Sequence, residues 1–104
     1  MKSLSPIAAT VGAALLLLAQ PAAASDNIDF GSATCREFVE VVQTSSQEDV
    51  AGMFLWLDGY LSGVSGDTVL DWRVFESFVE NLSGYCAANG KENLLKAARK
   101  VGVN

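Results

Sequence analysis

Two cysteines, twelve carboxylates and no histidine set the chemistry open to this 104-residue chain. Cys35 and Cys86 can form one disulfide, contribute to a metal site or act as thiols. Without histidine there is no Ser-His-Asp triad, no Cys-His pair and no His-ligated zinc. The side chain that ordinarily titrates between pH 5 and 8 is missing too. Proton-linked behaviour in acid then falls to carboxylates, whose ordinary pKa values lie near 4. Glu37/Glu40 and Glu76/Glu80 share helix faces by spacing, but no nucleophile or ligand pattern accompanies them, so they read as solvated faces. No G-x-S-x-G, phosphate loop, H-E-x-x-H or EF-hand pattern occurs. The expectation is no enzyme, no catalytic residue, no metal and no cofactor. Asp58 stands apart, because it lies among Trp56, Leu57, Gly59 and Tyr60. A capping or interface hydrogen bond would suit it, and a partly buried carboxylate there is a candidate pH sensor.

Which cysteine chemistry applies depends on the compartment. Lys2 precedes an apolar run from Ile7 to Ala19, centred on Leu15-Leu16-Leu17-Leu18. Gln20-Pro21 breaks it, and Ala22-Ala23-Ala24 is a small-residue cleavage site. This is the pattern of a secretory signal peptide over residues 1–24, with the cut expected after Ala24. The run is about 13 residues, against roughly 20 for a membrane span, so no span is expected after cleavage. No cysteine follows the run directly, which argues against a lipoprotein. In an oxidising compartment, two cysteines with no histidine and no C-x-x-C spacing read as one disulfide, Cys35–Cys86. It would close a loop of about 50 residues and stabilise the fold by roughly 4 kcal/mol in the chain-entropy picture. The mature chain of about 80 residues is one small domain that needs such a staple or a partner. The net charge of −5 and pI near 4.4 argue against a nucleic-acid partner, which would require a basic face.

The elements that position these residues read as helices. Residues 25–33 are polar, small and without period, and are expected to form a flexible N-terminal arm. The helical domain spans 34–104. Thr34-Cys35-Arg36-Glu37 is a capping box that opens helix one, with apolar residues at Cys35, Phe38, Val39 and Val42. The polar run 43–47 ends it. Helix two starts at Ser45 or Ser46, with Glu48 and Asp49 suited to its N-terminus. Val50, Phe54, Leu57, Leu61 and Val64 form one stripe, while Leu55, Trp56 and Tyr60 make the helix apolar over much more than one face. Such a helix must be buried on several sides. Gly52, Gly59 and Gly63 lie near one line along it, where close approach by another backbone would offset their helix cost. Together these features point to a subunit interface beside the core. Ser65-Gly66-Asp67 is a turn. Helix three is expected from about Asp71 to Asn89. Helix four is expected from Lys91 or Glu92 to Val101, with Lys96, Arg99 and Lys100 toward its C-terminal half. The disulfide pins the start of helix one to the end of helix three, so that helix two packs between or across them.

This all-α arrangement resembles the HdeA/HdeB family. The matching features are the signal peptide, Thr34-Cys35-Arg36-Glu37-Phe38, and an aromatic helix with Trp56 and Tyr60. Gly66-Asp67-Thr68-Val69 follows, then a helix ending in Tyr85-Cys86 and a short cationic helix, so that residues 34–101 are covered. The resemblance implies a small four-helix domain stapled by one disulfide. It also implies a periplasmic, ATP-independent acid-stress chaperone, homodimeric near neutrality, whose partners are acid-denatured periplasmic proteins. The dimer or client-binding surface would include Phe54, Trp56, Leu57, Tyr60 and Leu61, freed when the fold loosens in acid. The stretch Trp56–Gly63 is also similar to other small disulfide-bonded helical periplasmic proteins, including type VI secretion immunity proteins. A dedicated protein-binding module is therefore the alternative reading.

Overall fold

The computed structural model describes residues 27–102, so the expected signal peptide and its cut after Ala24 lie outside the described residues. Four helices follow one another: α1 (Cys35–Thr44), α2 (Gln47–Ser65), α3 (Trp72–Ala88) and α4 (Leu94–Gly102). The described residues form an all-α domain with one disulfide and no strand.

Local chemistry explains most of the boundaries. Thr34 caps α1 through a reciprocal box. Its hydroxyl accepts from the Glu37 amide at 3.2 Å, and the Glu37 carboxylate accepts from the Thr34 amide at 2.9 Å. Ser46, rather than Ser45, caps α2 by accepting from the Asp49 amide; the Ser45 hydroxyl instead donates back to the Val41 carbonyl. Gly66 ends α2 at φ 82°, a left-handed conformation that side chains with a Cβ disfavour, and donates to the Ser62 carbonyl. Asp71 accepts from the Arg73 and Val74 amides to open α3, and Asn89 closes it.

Two expectations are corrected. Helix four starts at Leu94, not at Lys91 or Glu92. The Glu92 carbonyl accepts from the Cys35 amide at 2.8 Å, and the Leu94 amide donates to the Ala33 carbonyl at 2.9 Å. These bonds hold the chain extended in an antiparallel bridge between Thr34 and Asn93, and the Asn93 side chain accepts from the Lys96 amide as the cap. The segment expected to be a flexible N-terminal arm, residues 25–33, is held at Phe30 and Gly31. Phe30 is buried in the core, and the Asn93 side chain donates to the Gly31 carbonyl. Burying one aromatic ring contributes about 2 kcal/mol or more, enough to hold a short polar segment in place.

Cys35 and Cys86 are disulfide-bonded, with their Cα atoms 4.8 Å apart. The bond joins the first turn of α1 to the last turn of α3, and α3 also packs extensively on α4. Helix α2 crosses against α4 and makes little close backbone contact with α1 or α3. Leu57, Leu82 and Leu94 are fully buried at the centre, ringed by Phe38, Phe54 and Phe78. No polar or charged side chain is buried among the described residues. Gly102 closes the packing: a Cβ there would collide with Leu61 and lie 3.0 Å from the Phe78 ring. No helix among the described residues is long and apolar enough to cross a membrane.

Candidate functional site

The apolar excess of α2 divides into three faces. The first is core: Met53, Phe54, Leu57 and Leu61 are buried. Phe54 meets Phe38 edge-on at 5.3 Å. The second face is open to solvent and carries Leu55, Trp56, Gly52, Gly59 and Gly63. Nothing lies within 4 Å of a Cβ built on any of these three glycines. The backbone approach anticipated from their alignment does not occur among the described residues. Trp56 is 48% exposed, although its indole stacks on Phe30 at 4.4 Å and lies parallel to Tyr60 at 6.0 Å. The five residues expected to form one apolar surface are therefore divided. Trp56 and Tyr60 reach the surface, whereas Phe54, Leu57 and Leu61 line the interior.

The third face borders a trough. Helix α2 makes closer backbone contact with α4 than with α3, and a groove of about 660 Å³, open along one side, lies between α2, α3 and the end of α1. Val42, Val50, Phe54, Phe75 and Val79 form its apolar lining, and Glu76 and Glu80 stand on the α3 rim.

Asp58 lies near the exposed face and is partly buried. Burial raises its pKa above the ordinary carboxylate value, and the nearby Asp67 charge adds to the rise. A carboxylate shifted upward is more costly to the fold when ionised. Its stabilising contribution is fully present below the unfolded-state pKa and is lost as pH rises through the folded value. Proton uptake at Asp58 thus favours the folded state.

No group of three or more candidate metal ligands occurs among the described residues. The sequence model of the HdeA/HdeB family matches residues 7–96. The chain belongs to the HdeA/HdeB family. No match was found among curated proteins or among solved structures. The HdeA/HdeB family is known for periplasmic acid-stress chaperones and is not an enzyme family.

Within this HdeA/HdeB chain, sequence reasoning missed a polar cluster at the α3–α4 junction. Tyr85 on α3, Glu92 in the connection and Lys100 on α4 meet there. The Lys100 pKa is raised by its hydrogen bond to Tyr85 and by the Glu92 charge. Their spacings of seven and eight residues were the available signal, but two elements and a turn separate them. The trough left no sequence signal, because it depends on how three separate elements pack.

Proposed function

We propose that this chain is a periplasmic, ATP-independent acid-stress chaperone, exported by a signal peptide cut after Ala24 and homodimeric near neutrality. In acid the fold opens, the disulfide persists, and apolar groups are offered to unfolding client proteins. The observation that carries this reading is the HdeA/HdeB family match over residues 7–96.

The geometry supports a two-stage exposure. Trp56 and Tyr60 are on or near the surface in the folded chain, beside the open glycine face that suits a dimer contact. Phe54, Leu57 and Leu61 become available only when α4 and α2 part. Client binding then draws on a reserve of buried apolar surface, worth about 25 cal/mol for each Å² covered.

The trigger lies in lost carboxylate interactions and rising positive charge. Asp58 senses pH with the opposite sign, because its protonation favours the folded form. Opening must overcome that preference. Carboxylates hold local structure where Glu92 meets Tyr85 and Lys100 and at the helix caps formed by Glu37 and Asp71. Acid also strips the negative charge from a mature chain with six bases and twelve acids, leaving it strongly positive and self-repelling.

The test uses mature, oxidised protein. Sedimentation and light scattering of an acid-sensitive client are followed from pH 7 to pH 2. Dissociation below about pH 4, where carboxylates titrate, with client aggregation suppressed over the same range, supports the chaperone. A protein that keeps its oligomeric state and leaves aggregation unchanged refutes it. The alternative, a dedicated protein-binding module, is favoured by apolar groups already open in the folded state, among them Trp72 and Val74. It would bind one partner at neutral pH.

A further inference from the structure

We infer that the trough between α1, α2 and α3 binds an amphipathic polypeptide segment in which basic side chains border an apolar row. It does so in the folded protein near neutral pH. This site is distinct from the open Leu55–Trp56 face and does not require acid opening.

Three observations fix the chemistry of the occupant. The lining is mostly apolar: the half-buried Val50, Phe75 and Val79 present ring and methyl surface, beside the buried Phe54. That favours an apolar row. The groove is open along one side, so it cannot enclose most of a small molecule as a ligand pocket does. A polypeptide that lays one face into the groove matches this shape.

The third observation is charge. Glu76 and Glu80 are exposed, one helical turn apart on the α3 rim. Like charges at this spacing repel each other by a few tenths of a kcal/mol. No basic side chain lines the trough, and the one ion pair among the described residues, Lys100–Glu92, lies elsewhere. A lysine or arginine placed at the rim would interact with both carboxylates and relieve their repulsion. An acidic segment would meet the opposite penalty. The chain's own cationic amphipathic helix, α4, is not free to serve, because Leu94, Ala97 and Ala98 are buried in the core.

The test compares two synthetic helical peptides of about twelve residues. Both carry leucines on one face; one has lysines beside them and the other glutamates. Each is titrated at pH 7 into isotopically labelled mature protein, and amide shifts are followed. The lysine peptide is expected to shift Val50, Phe54, Phe75 and Val79, and to bind about tenfold more tightly than the glutamate peptide. In the double variant Glu76→Gln, Glu80→Gln, at two exposed positions that leave the fold intact, its affinity should fall about fivefold. Equal affinity of the two peptides, shifts confined to the Leu55–Trp56 face, or no binding would each overturn the proposal. So would trough resonances that move on dilution without peptide, since the occupant would then be a second copy of the chain.

Discussion

The Tyr85 phenol oxygen lies 2.9 and 2.8 Å from the two carboxylate oxygens of Glu92, and so ties α3 to the connection that leads into α4. Lys100, from the last turns of α4, donates to the same phenol at 3.0 Å and sits 3.7 Å from Glu92. Three elements thus share one polar node at the edge of an otherwise apolar core.

Removing that node should loosen α4. Tyr85→Phe or Glu92→Gln is expected to cost about 1 kcal/mol at pH 7, measured by urea unfolding. The raised Lys100 pKa adds an alkaline limb: its contribution is present below the ordinary lysine value and is lost as pH rises through the folded one. Variants as stable as the parent would refute a role for the node in holding α4.

Asp58→Asn should act in the other direction. The substitution removes a carboxylate that is costly when ionised, so it should stabilise the fold at pH 7. The advantage should vanish in acid, where the parent's Asp58 is itself neutral. Unfolding curves at pH 7 and pH 3 read both effects. If the variant is less stable at pH 7, a hydrogen bond made by the ionised carboxylate outweighs its burial.

The disulfide should be indispensable at physiological temperature. Its closed loop spans 51 residues of sequence, which corresponds to about 4 kcal/mol in the chain-entropy picture. A small domain has little more than that in reserve. Circular dichroism of the Cys35→Ser, Cys86→Ser double variant is expected to show a largely unfolded chain at 37 °C.

Two glycines in different surroundings should respond with opposite signs. Gly59 faces open space, so Gly59→Ala is expected to stabilise the monomer by about 1 kcal/mol. If the glycine face is the dimer contact, the same change should weaken self-association in sedimentation. Gly102 has no room, and Gly102→Ala is expected to destabilise by about 1–3 kcal/mol as Leu61 and Phe78 move aside.

Sequence reasoning located the helices where a side chain does local work. The Thr34 box, the Asp71 cap and the Gly66 turn each act within four residues, and their effect is visible in the residue types alone. It failed where distant partners decide. Phe30 is a single aromatic in a polar segment without period, and only the indole of Trp56 and the core show why it is held. The start of α4 was misplaced because bonds to Ala33 and Cys35 override the local helix signals of Lys91 and Glu92. In α2 the periodicity was ambiguous. Apolar residues on nearly every side mark Leu57 and Trp56 alike, although one is fully buried and the other half exposed.

The position of the disulfide along the chain divides the molecule into a ring and two tails. Residues 35 to 86 form the ring and contain α1, α2 and α3; the docked N-terminal segment and α4 are the tails. The tails are zipped to each other, through Leu94 to Ala33 and Asn93 to Gly31. Neither can leave alone without breaking those bonds, so their departure is one cooperative event. Such a latch can swing clear and expose Leu57 and Leu61 while the covalent ring stays closed. The same ring limits how far the chain can unravel, and it would keep the surfaces that receive the latch close together.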